Sequence, residues 1–138
     1  MSSSQPARKP WWRRWFGDRS ERAGCAFLRR AGLRILARNV WTTHGEIDIV
    51  ALEAGCLVFV EVRSTEADSP RQPAESVDRN KQERLTHAAL EFLSRQRLLE
   101  RPARFDVLVI AWPQGRREPL IEHHRHAFEA VGRWQMFH

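Results

Sequence analysis

The stretch GEIDIVALEAGCLVFVEVRS, residues 45–64, constrains the fold of this chain more than any other. Residues 46–52 alternate polar and apolar before becoming apolar throughout, and residues 56–63 form a β-branched and aromatic run. Ala54-Gly55 separates them as a tight turn, so the stretch reads as an antiparallel hairpin. With Ala54-Gly55 as its loop, Glu53 faces Cys56, Leu52 faces Leu57, Val50 faces Phe59, and Asp48 lies directly opposite Glu61. Side chains alternate along a strand, so Glu46 then faces Arg63 on the same side. A four-residue loop keeps this pairing, whereas three or five residues would shift it. Facing carboxylates have Cβ atoms roughly 4.5–5.5 Å apart and repel. A cation between the oxygens, or a proton retained on one of them, resolves that repulsion. The register therefore makes Asp48 and Glu61 candidates for a site.

The remaining composition sets the class. At 138 residues, with 42% hydrophobic and 29% charged residues, the chain is expected to form one globular domain with a real core. No apolar run reaches the ~20 residues that span a bilayer, and residues at the start lack the apolar segment of a secretory signal. Cys25 and Cys56 fall in an expected helix and strand, which suits buried, reduced thiols and a cytoplasmic protein. A net charge of +6 and a pI near 10.8 favour a polyanionic partner, nucleic acid above all. A basic but indifferent surface would carry the same charge.

Along the chain, residues 1–18 stand apart as a basic, Trp-rich arm ahead of a domain spanning residues 19–138. Arginine mixed with Trp11, Trp12, Trp15 and Phe16 can stack on bases while neutralising phosphates, lie on an anionic membrane, or cover the domain itself. A first helix is expected over residues 20–31, capped by Asp18 or Ser20 and stopped by Gly32. Glu21 lies in its first turn, where the helix dipole favours a carboxylate. Residues 33–40 suit a strand with Leu33, Ile35 and Ala37 on one face. After Arg63 comes a Pro-rich loop of about a dozen residues, longer than most connections in a compact domain. A helix over residues 76–97 then follows, with Val77, Lys81, Leu85, Ala88, Ala89, Phe92 and Leu93 on one stripe. Lys81 is anomalous there: it can snorkel to water or reach the carboxylate pair. Gln82 could add a polar contact, and Arg79 and Arg84 read as solvated or phosphate-facing charge. Residues 104–112 form a strand buried on both faces, placed parallel to the Glu61 strand by a right-handed crossover. A short edge strand over residues 119–123 and a last helix over 126–131 complete the expectation. His44, beside Gly45, lacks visible partners for a metal, and His123, His124 and His126 match no closed Cys/His pattern.

The order is thus helix, three antiparallel strands, helix, strand. With Gly45-Glu46-Ile47-Asp48 and Phe59-Val60-Glu61-Val62-Arg63 inside it, the chain resembles the PD-(D/E)XK nucleases. More closely it resembles the YraN-like family of small bacterial proteins, through Arg38-Asn39, GEIDIV, VFVEVR, Val77 with Lys81, Arg104-Phe105-Asp106-Val107 and Ala127-Phe128. The resemblance covers residues from about 20 to 131. It implies an α/β fold with a restriction-endonuclease-like αβββαβ core and a mixed central sheet flanked by helices. It implies Asp48 and Glu61 as metal-binding carboxylates, with the Val62 carbonyl beside them. Glu21 matches the first-helix carboxylate of the Holliday-junction-resolvase branch.

The lysine of the pattern falls on Arg63, which keeps the charge but cannot act as a base. Either Lys81 takes that role, or the metal activates water unaided, or turnover is weak. The implied function is a Mg²⁺- or Mn²⁺-dependent endonuclease acting on DNA, branched substrates included. Asp48, Glu61, Arg63 and Lys81 would be its catalytic set, with Arg38, Arg63, Arg79, Lys81, Gln82 and Arg84 contacting nucleic acid. A homodimer fits this fold. The alternative is a nucleic-acid-binding protein that keeps the fold without turnover.

Overall fold

A computed structural model describes residues 11–65, 69–70 and 77–131, with side chains from residue 19 onward. The elements run α1 (Trp11–Arg30), β1 (Arg34–Thr42), β2 (Gly45–Glu53), β3 (Cys56–Thr65), α2 (Arg79–Arg95), β4 (Ala103–Ala111) and β5 (Leu120–Phe128). The strands form one sheet in sequence order, antiparallel except for β3 and β4, which are parallel. This is the αβββαβ core with a mixed sheet, extended by β5.

Alternation along the central strands builds the two faces. Leu57 and Phe59 of β3 and Phe105, Val107 and Val109 of β4 pack with Leu85, Ala88, Ala89 and Leu93 of α2. Val58 and Val60 of β3 and Leu108 and Ile110 of β4 pack with Cys25 and Leu28 of α1. A strand buried on both faces needs apolar residues at every position, and the run from Phe105 to Ala111 supplies them except at Asp106. Gly24 lets α1 approach closely, because a Cβ there would lie 3.1 Å from Leu108 Cδ1. The middle of α1 is clamped to the sheet by Trp112, whose Nε1 donates to Ser20 Oγ at 2.9 Å. The Arg19 guanidinium lies 3.6 Å over the Trp112 ring.

Several boundaries differ from the expectation. Helix α1 begins at Trp11, so residues 11–18 continue the first helix in backbone, while residues 1–10 and the side chains of the Trp-rich segment lie outside the described residues. The Pro-rich connection after β3 also falls largely outside them. Helix α2 starts at Arg79 because Asp78 caps it, accepting from Lys81 N at 2.8 Å, which leaves Val77 in the core ahead of the helix.

The short edge strand is instead a nine-residue strand, and residues 126–128 continue it where a helix was expected. Phe128 stacks on Phe105 with ring centroids 4.7 Å apart, and the His126 amide donates to Asp106 Oδ1 at 3.1 Å. His126 takes a φ of 49° at the accompanying register shift, and those two anchors outweigh the local helical pattern.

A candidate metal centre where two strands change face

The hairpin register is the expected one from Glu53↔Cys56 to Ile49↔Val60. Beyond that point the alternation breaks. Ile47 and Val50 both belong to the α2-side core, whereas Ile49 belongs to the α1 side. Strict alternation cannot put residues 47 and 50 on one face, so the strand turns at Asp48. Strand β1 does the same opposite it. Arg38 pairs with Ile49 and Val40 with Ile47, and Asn39 between them has a φ of 52°. Asn tolerates the left-handed region better than most residues, which explains why the turn can be made there.

The consequence is a group of three carboxylates. Ligand oxygens of Glu21 on α1 and of Glu46 and Asp48 on β2 all lie within 4.8 Å of one another. Glu21 is 4% and Asp48 8% exposed, and Glu46 is half-buried. Asp48 Oδ2 accepts from the Val62 amide at 2.8 Å, which holds one oxygen between β2 and β3. Arg38 NH2 lies 3.6 Å from Glu21 Oε1. Beneath Glu46 the turn is fixed on both sides: Thr42 Oγ1 donates to Gly45 O at 2.8 Å, and the Thr43 amide and hydroxyl donate to Glu91 of α2. Those donations, the Thr43 hydroxyl first, hold the Glu91 carboxyl below its ordinary range.

Asp48 and Glu61, expected to face each other, each have a contact of their own. Glu61 points to the α2 face, where Lys81 Nζ meets its Oε2 at 2.7 Å. Lys81 thus reaches a carboxylate, its side chain still about a third exposed. Glu46 pairs with Trp41 on the β1 side and joins Glu21 and Asp48. The i, i+2 spacing of Glu46 and Asp48 on one strand was the available signal for it. Val62 meets the site through its amide.

Among the basic candidates, Arg63 is half-buried and its NH1 has no hydrogen-bond partner among the described residues. The same holds for Arg38 Nε. Gln82 bonds locally to Val77 O at 2.9 Å, Arg84 reaches from α2 to His44 O in the β1–β2 turn at 3.4 Å, and Arg79 is exposed in the first turn of α2.

Mg²⁺ and Mn²⁺ take oxygen donors, and three converging carboxylates are such a set. Their mutual repulsion in a poorly solvated position is what a divalent ion would relieve. The residues present therefore fit the ion that the resemblance implies.

A second polar cluster lies where β4 meets β5. Asp106 is fully buried and is bonded by Arg104 Nε at 3.0 Å, His123 Nε2 at 2.8 Å and the His126 amide. Arg104 and Arg125 also converge on Glu53 Oε1, at 2.7 and 2.6 Å. Burial opposes the Asp106 charge, but His123, Arg104 and the His126 amide outweigh it and hold the carboxyl below its ordinary range. Through Glu53, Arg104, Asp106, His123 and Arg125 the cluster ties β2, β4 and β5 together.

The chain is similar to proteins of several bacteria. A UPF0102 protein of Rhodopirellula baltica is 44% identical over 119 residues, covering 84% of this chain and 71% of that protein. One from Trichlorobacter lovleyi is 40% identical, covering 82% of this chain and 89% of that protein, and one from an Anaeromyxobacter species is 39% identical over 88% and 90%. Residues 20–110, which hold α1 from the Ser20 clamp through β4, match the family described as "Uncharacterised protein family UPF0102". The chain belongs to the UPF0102, or YraN-like, family.

Proposed function

We propose that this protein is a divalent-metal-dependent phosphodiesterase acting on DNA, branched DNA included. The observation that carries the reading is the convergence of Glu21, Glu46 and Asp48 from two elements, with oxygens within 4.8 Å of one another. These three would hold Mg²⁺ or Mn²⁺. When bound, the ion polarises a phosphate and lowers the pKa of an attacking water. Asp48 is oriented for ligation by the Val62 amide, which occupies one of its oxygens and fixes the other. Arg38 and Arg63 each bring a buried guanidinium nitrogen without a hydrogen-bond partner among the described residues, suited to phosphoryl oxygens. Lys81 is held by Glu61 on the α2 side, one residue along β3 from the Asp48–Val62 contact. The net charge of +6 supports backbone binding without sequence reading.

Cleavage of a labelled four-way junction with Mg²⁺ or Mn²⁺ tests the reading. Asp48→Ala is expected to lower the rate by about a hundredfold or more, and wild-type cleavage persisting in the purified variant would sink it. A second reading has its own observations: arginine stands where the nuclease pattern has lysine, and Glu61 is engaged by Lys81. On that reading the protein binds nucleic acid without turnover. Salt-dependent binding with no metal-dependent cleavage supports it, as does cleavage gained by Arg63→Lys.

A further inference from the structure

The carboxylate group addresses a phosphate, but an aromatic ring stands beside it. Trp41 is 47% exposed near the end of β1, an edge strand of the sheet. Its cross-strand partner is Glu46. Its neighbour Val40 packs into the core on the α2 side, so alternation turns Trp41 to the side that carries Glu21, Glu46 and Asp48. Directly opposed residues of an antiparallel pair have Cβ atoms roughly 4.5–5.5 Å apart, which puts the indole next to the acidic group. Arg38 lies on the same side, near Glu21 through NH2 and with its buried Nε unbonded among the described residues. β-Propensity accounts for an aromatic residue on a strand. It does not account for leaving the ring half exposed opposite Glu46.

A flat ring beside a phosphate site has one evident use, which is to stack on a base. In a continuous duplex each base face is already covered by its neighbours, and only base edges are presented in the grooves. An unpaired base offers its face, and stacking on it does not depend on sequence. We propose that Trp41 stacks on an unpaired nucleobase adjoining the phosphate addressed by Glu21, Glu46 and Asp48. The substrate class is then single-stranded nucleic acid, or the unpaired segment of a branched one. This rests on the phosphodiesterase reading of the site.

The test is a binding measurement in the full-length Asp48→Ala background without added metal, where turnover is removed and one acid fewer repels phosphate. Fluorescence anisotropy compares a labelled oligothymidylate with a blunt duplex of equal length, for Trp41, Trp41→Phe and Trp41→Ala, each checked for an unchanged Tm. Trp41→Ala is expected to lose about tenfold in affinity for oligothymidylate, with duplex affinity changed by less than about twofold and Trp41→Phe close to the parent. Equal losses on both ligands, no loss on oligothymidylate, or no oligothymidylate binding by the parent would overturn the proposal. Trp41-dependent stacking by a protein whose wild type cleaves nothing in Mg²⁺ would instead sink the phosphodiesterase reading alone.

Discussion

Asp106 and Glu61 show how two buried carboxylates of one chain come to different uses. Asp106 has hydrogen-bond donors from a guanidinium, an imidazole and an amide, all on β4 and β5. Removing its charge strands Arg104 and His123, so Asp106→Ala is expected to cost about 3–5 kcal/mol in chemical denaturation. Its carboxyl is held below the unfolded value, so the unfolded state binds more protons on acidification. The stabilisation is full above the unfolded value and is lost as pH falls through the folded one. The unfolding free energy of wild type should therefore fall on acidification through and below the ordinary aspartate range more steeply than that of Asp106→Asn; parallel profiles would contradict the assignment. Glu61 has a lysine that is a third exposed, which weakens the pair. A double-mutant cycle on Glu61→Gln and Lys81→Met is expected to give a coupling on the order of 1 kcal/mol.

At the scale of elements, the β1–β2 turn decides where the acids point. Gly45 has a φ of 117°, and a Cβ there would collide with the Arg84 guanidinium that bonds His44 O. The side chain of Arg84 can move aside, but the backbone strain remains, so Gly45→Ala is expected to destabilise by about 1–2 kcal/mol. Thermal unfolding followed by circular dichroism checks this. Much of this level was legible from residues alone. The Ala54-Gly55 turn predicted the pairing from Glu53↔Cys56 to Ile49↔Val60, and the apolar run after Arg104 predicted a strand buried on both faces. The face change at Asn39 and Asp48 was not legible, because counting alternate residues assumes that every backbone step is extended. That one step accompanies the grouping of Glu46 and Asp48 with Glu21. The last strand was misread for a related reason: the Phe105–Phe128 stack and the Asp106–His126 bond are long-range, and a helical pattern over 126–131 contains no trace of them.

For the whole molecule, the sheet separates two kinds of surface chemistry. The α1 side carries the three acids with Arg38 and Trp41, and the α2 side carries the Glu61–Lys81 pair. No helix among the described residues is long and apolar enough to cross a membrane. With a net charge of +6, binding to nucleic acid is expected to weaken steeply with salt. Arg38→Ala should weaken binding to all sequences alike and reduce the slope of log K against log salt by about 1. The central claim is that Glu21, Glu46 and Asp48 form one divalent-cation site, and calorimetric titration with Mn²⁺ tests it most directly. Wild type is predicted to bind one ion per chain, with that binding lost in Asp48→Ala and in Glu46→Ala but kept in Glu61→Gln. Equal Mn²⁺ binding by wild type and Asp48→Ala would contradict the account.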